Sequence, residues 1–222
     1  MTLDGDETLS IAKTAINEGS KGLVVRALSV LQRWNEVRFG QALLDELEEM
    51  RNAGQIRDDF HQTDAGTATL REFFDMIGGR PDEERFRAFC ALFMSANAPG
   101  ADSNEAIVDL ELMGILRDLT AGEMHVLSAF LKVRKFIAGH DPFPQIAKEV
   151  GYTSRALMNK NVQALAAHHL VDETSLANWA ISPGHERELL TDLGYKLLER
   201  VERYNQFKDS VQVSRIPEAD EC

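Results

Sequence analysis

The stretch PFPQIAKEVGYTSRALMNKNVQALAAHHLVDE, residues 142–173, restricts the possible folds of this chain more than any other part of it. Ile146, Ala147 and Val150 predict the inward side of a short helix, and Gly151 supplies the left-handed residue that a tight helix–helix corner favours. Tyr152 and Thr153 complete the turn, and Thr153 or Ser154 is placed to cap a longer second helix. In that helix Met158, Val162 and Leu165 step by four and three and point together into a core. The same phase leaves Ser154, Arg155, Asn159, Lys160 and Gln163 outward or lateral. Arg155 and Lys160 can reach phosphates or guanine edges and Asn159 and Gln163 can pair with adenine, each bidentate contact discriminating by about 1 to 3 kcal/mol.

The rest of the chain predicts more helix. A run over residues 23–52 carries Ala27, Val30, Leu31, Trp34, Val37, Leu44, Leu47 and Met50 at helical spacing, with Gly40 marking a kink or a close contact. It reads as the spine of the first half or as a dimer seam. A short helix is expected over 70–77 and a stop at GGRP, after which Pro81 and the acidic Asp82, Glu83 and Glu84 open another helix. Phe86, Phe89, Cys90, Phe93 and Met94 form its buried face, with Cys90 a small core residue. Ser103 or Asn104 can cap the helix that follows. Thr120 and Glu123 fit a capping box that opens a helix running to Gly139, with Met124, Leu127, Phe130 and Leu131 inside. No strand-like alternation precedes residue 170, so the first half is read as all helical.

From Leu119 to about Arg203 the order of parts resembles a winged helix-turn-helix domain of the multiple-antibiotic-resistance regulator family. The matching pieces are IAKEVGYTSRALMNKNVQAL as the motif, LVDE as the strand entering a wing, SPGHE as its tip, ERELLTDLG as the returning strand and YKLLERVERY as a closing helix. The resemblance implies a mainly α fold with a small β-hairpin wing, and a second motif helix whose first residues enter the DNA major groove. It places Thr153, Ser154, Arg155, Asn159, Lys160 and Gln163 on double-stranded DNA, with Arg187 reaching from the wing. Where the family usually has a glycine before the wing, this chain has His169, so that corner is built differently or tolerates strain. The expected organisation is a loose leader over 1–22, a helical dimerisation or regulatory domain over 23–118, the winged domain over 119–205 and an extension over 206–222 with a disordered tail.

Composition narrows the function. The formal net charge is −12, yet residues 1–119 hold 12 Lys and Arg against 22 Asp and Glu, while residues 120–205 hold 10 against 10. The acidity therefore lies mainly outside the helix-turn-helix. There is no GxxxxGK[ST] loop, no GxGxxG, no HExxH and no GxSxG elbow, so no enzyme and no cofactor or metal is expected. Asp58 and His61 and the carboxylates of LDELEEM are read as solvated surface. An acidic opening without an apolar core segment, no run long enough to span a bilayer and no disulfide pattern for Cys90 and Cys222 place the protein in the cytoplasm. The leading expectation is a dimeric DNA-binding regulator of a bacterial or phage type that works by equilibrium binding. The alternative is an interaction or scaffold protein, favoured by the acidic wing and contacting its partner through Trp179 and Trp34.

Overall fold

A computed structural model describes residues 37–78, 82–132, 135–137, 143–151, 153–172 and 186–214 of the chain. Among them are eight α-helices: α1 (Val37–Asn52), α2 (Asp64–Gly78), α3 (Glu83–Ala96), α4 (Ser103–Asp118), α5 (Ala121–Lys132), α6 (Phe143–Val150), α7 (Arg155–Ala167) and α8 (Asp192–Ser214). A 3-10 turn, Phe60–Gln62, precedes α2, and two three-residue strands, β1 (Lys135–Ile137) and β2 (Glu186–Glu188), pair antiparallel. No helix of the described residues is long and apolar enough to cross a membrane.

The chain divides into two compact units. The first includes α1, α2, most of α3 and α4, and residues 199–214 of α8. Helix α3 lies at its centre, because every residue from Ala88 to Ala98 is buried, as an almost uniformly apolar sequence requires. Phe73 of α2 meets Phe86, Phe89 and Phe93 edge-on at centroid distances of 5.8, 5.6 and 5.9 Å. Leu43, Leu47 and Met50 of α1 and Leu112, Met113 and Leu116 of α4 complete the core with Tyr204 and Phe207 of α8. Residues 23–36, with Trp34, lie outside the described residues, as do the leader and the end of the tail.

Polar groups inside this unit are partnered in ways the sequence reading missed. Asp109 is fully buried, and its carboxylate accepts from Arg200 Nε at 3.2 Å, while Arg200 also reaches Glu105 and Glu199. Burial pushes the Asp109 carboxyl up, with Ser95 and Arg200 opposing it. Burial also works against the Arg200 charge, but Asp109, Glu199 and Glu105 together hold its guanidinium above the ordinary value. The LDELEEM face is only partly solvated: Asp45 and Glu48 are exposed, whereas Glu46 and Glu49 both bind the ammonium of Lys208. Cys90 is buried and reduced, and burial pushes its thiol well up. Where the 3-10 turn abuts α2, Gly66 leaves no room for a side chain, since a Cβ there would stand 1.9 Å from the Phe60 carbonyl oxygen.

The second unit comprises residues 82–85 and 118–198. Thr120 and Glu123 form the expected reciprocal box: the Thr120 N–H donates to Glu123 Oε2 at 2.7 Å and the Glu123 N–H to Thr120 Oγ1 at 3.3 Å. Helix α3 starts after Asp82, not at Pro81, and α4 is capped by Asp102, not by Ser103 or Asn104. Asp82 accepts from the Arg85 N–H at 2.8 Å at the start of α3, and Asp102 accepts from the Asn104 N–H at 3.1 Å at the start of α4. Helix α5 also ends early, at Lys132, and Lys135–Ile137 is a strand in place of the helix expected to reach Gly139. A short apolar run has no decisive period of its own. Here its partner, β2, lies some fifty residues downstream, with Phe136 opposite Arg187.

The expected β-hairpin wing is not seen. Among the described residues its two expected arms, 170–173 and 186–194, do not form a two-stranded ribbon: β2 pairs with β1, and the first arm contributes the isolated bridge Val171–Leu190. The physical reason lies in the burial pattern. A half-solvated strand alternates buried and exposed residues, but Leu170, Val171, Leu189 and Leu190 are all buried as adjacent pairs and are wedged into the core. Residues 173–185, which hold Trp179 and the expected wing tip, lie outside the described residues.

Candidate nucleic-acid interface

Helix α6 is seated by Ile146 and Val150, which are 0% and 6% exposed, and ends at Gly151, whose φ is +71°. A Cβ at Gly151 would meet nothing within 4 Å, so glycine is required there for the torsion and not for space. Val150 ends a helix whose last carbonyls lack backbone partners. His125 of α5 supplies one, its Nε2 lying 3.2 Å from the Val150 oxygen. The other ring nitrogen of His125 is 3.6 Å from Glu84, which also accepts from Ser128 Oγ at 3.0 Å. Sequence reading missed this positioning role, because His125 has no motif around it.

Ser154, in extended conformation, caps α7 by accepting from the Leu157 N–H at 3.4 Å. Met158, Val162 and Leu165 are 2%, 4% and 0% exposed, as their spacing requires, and Asn161 joins them on the buried side at 3%. Asn161 was not singled out from the sequence, although it sits three residues after Met158 and one before Val162, in phase with the core. Thr153, Ser154, Arg155, Asn159, Lys160 and Gln163 are all exposed. Ala156 and Leu157 are exposed beside them.

The guanidinium of Arg155 lies over the Phe143 ring, 4.9 Å from its centroid, so the first residue of α7 is tied to the first residue of α6. A cleft of about 180 Å³ is lined by these two residues with the apolar Pro144, Ala147 and Met158 and the polar Thr153 and Ser154. Charge is distributed unevenly here. Helix α7 carries Arg155 and Lys160 and no carboxylate, and α6 adds Lys148 and Glu149, all four exposed. In a chain of net charge −12, residues 143–167 hold three cations and one anion.

At the end of α7 the corner at His169, expected to be built differently or to tolerate strain, holds its residue in the left-handed region. Its φ is +56°, and the surrounding bonds form a Schellman motif: the His169 N–H donates to the Ala166 oxygen at 2.9 Å and the Leu170 N–H to the Leu165 oxygen at 3.1 Å. The Thr191 hydroxyl donates to the His169 oxygen. Thr191 also caps α8 by accepting from the Gly194 N–H at 3.1 Å. Asp172 N–H to Leu189 O at 2.9 Å and Thr191 N–H to Leu170 O at 3.3 Å close the base of the segment between them. Arg187 stands in β2 with its side chain outside the described residues, and Trp34 and Trp179 are outside them entirely; among the described residues the expected group comes together along α7 and the two residues that lead into it.

Among the described residues no group of three or more His, Cys, Asp or Glu is arranged to hold a metal ion. Of the two carboxylate and histidine features weighed earlier, Asp58 is exposed in a turn and His61 is buried beside Phe60 in the 3-10 turn. No family model, curated protein or solved structure matches the chain.

Proposed function

We propose that the protein binds double-stranded DNA as a regulator, without chemistry, through the helix-turn-helix of α6 and α7, working as a homodimer that presents two copies of α7. The observation that carries this reading is the outward face of α7: Arg155, Asn159, Lys160 and Gln163 are exposed together, with no carboxylate in the helix, on a chain that is otherwise strongly acidic. Arginine, lysine, asparagine and glutamine are the side chains that read guanine and adenine edges and touch phosphates. Held over Phe143, Arg155 is ordered before any ligand arrives, which lowers the entropic cost of using it.

The test is a fluorescence-anisotropy titration of the full chain against pooled genomic duplex fragments at low salt. Binding is expected, and Arg155→Ala with Lys160→Ala should weaken it at least tenfold while leaving the circular dichroism spectrum unchanged. If Lys148, Arg155 and Lys160 each neutralise one phosphate, log K falls with log salt at a slope of about −2.7 per copy. No binding, or binding indifferent to the double substitution, overturns the reading. A protein partner on the same face is the second reading, favoured by the exposed Leu157 amid those polar groups and by the net charge of −12.

A further inference from the structure

Resting on the DNA-binding reading, we propose that Leu157 is a specificity-determining residue that reads the methyl group of a thymine. Leu157 is 46% exposed and is the third residue of α7, in the turn that enters the groove when a second motif helix reads DNA. Its place outside the core is set by phase: Met158, Asn161, Val162 and Leu165 occupy the buried side. The neighbours of Leu157 one turn away on the outer surface are Thr153, Ser154 and Lys160, all exposed. A single apolar side chain is thus ringed by hydrogen-bonding and cationic groups. The Ser154 cap bonds the Leu157 N–H itself, which fixes where the side chain emerges.

The chemistry of base edges then selects the partner. In the major groove each base pair displays donors and acceptors, and the thymine C5 methyl is the apolar group among them. A leucine set against an adenine or cytosine amino group, or against a guanine carbonyl, would leave that group without water and without a hydrogen bond. Set against a methyl, it buries both apolar surfaces. Ala156, exposed and short, lets the backbone at this turn come close to the bases. Arg155, drawn toward α6 by Phe143, stands to the side of this contact.

The experiment begins by selecting, from a random duplex pool, sequences that the full chain binds. In the selected duplex each thymine is replaced in turn by deoxyuridine, which keeps the base pair and its groove acceptors and lacks only the methyl. One position is expected to lose about fourfold in affinity, the value of burying one methyl group. With Leu157→Ala that sensitivity should vanish, and Leu157→Gln should move the preference at that position away from thymine. A bound duplex in which every replacement is neutral, or in which the loss persists with Leu157→Ala, overturns the Leu157 assignment and leaves DNA binding standing. A pool from which nothing is enriched overturns the DNA-binding reading itself and the assignment with it.

Discussion

Replacing Gly194 by alanine sets two effects against each other. Gly194 is the third residue of α8, where alanine is favoured over glycine by about 1 kcal/mol in an open helix. A Cβ at this site, however, would stand 2.1 Å from the Leu170 carbonyl oxygen and 3.2 Å from both the Leu170 carbonyl carbon and the Leu190 Cβ. The oxygen is main chain and must move by about an ångström to reach ordinary contact. That displacement breaks the Thr191 to Leu170 bond and loosens the Asp172 to Leu189 bond. At about 1 kcal/mol each, the two bonds account for roughly 2 kcal/mol. Loosened packing of the fully buried Leu170 and Leu189 adds about 1 kcal/mol, so after the helix gain the net loss is about 2 kcal/mol. Gly151→Ala provides the contrast, because its cost is torsional only, about 1 kcal/mol, with nothing to displace. Urea unfolding followed by far-ultraviolet circular dichroism measures both, as shifts of midpoint at unchanged slope. A neutral or stabilising Gly194→Ala would refute the close approach and leave helix propensity as the sole effect.

Gly66→Ala should destabilise the first unit by about 3 kcal/mol or more, since the Phe60 main chain blocks the new methyl; native-like urea stability in this variant would contradict the packing at the 3-10 turn. Asp109→Ala, which removes one partner of a buried charge, should cost about 3 kcal/mol, and Asp109→Asn, which keeps the shape, distinctly less. Because burial raises the Asp109 carboxyl, the folded protein holds that proton more tightly than the unfolded chain, so this proton-linked part of the stability is fully present below the ordinary carboxylate range and is lost as pH rises through the raised value; the slope should be absent in Asp109→Asn. Ser154→Ala, removing a long and exposed cap bond, should lower stability by only about 0.5 kcal/mol in the same urea assay, and a loss several times larger would mean the cap does more than hold the first turn.

Much of the helix-turn-helix was legible because its signals are local. Gly151, the Ser154 cap, the Met158, Val162 and Leu165 stripe and the Thr120 and Glu123 box each act within a few residues, whereas at His169 the expectation left open whether the corner was built differently or strained. What escaped was what depends on distant partners. β1 exists because β2 pairs with it, Asp109 is tolerated inside because Arg200 arrives from far along the chain, and Glu46 and Glu49 are drawn from solvent by Lys208. The expected wing went wrong for the same reason: apolar residues in adjacent pairs answer to the core they enter, and no period in the sequence records that. Of the candidate interface, the polar and cationic residues of α7 were readable from its phase, whereas Leu157 was not, since a leucine in a helix is ordinarily assigned to the interior.

The clasp at Thr191 separates what lies between Asp172 and Glu186 from the scaffold that carries α7. One hydroxyl grips His169 just past the end of α7, and two main-chain bonds tie residues 170–172 to residues 189–191, so the chain leaves and returns at the same place. Because these bonds lie outside residues 173–185, a change of length there should leave the seating of α7 and α8 intact.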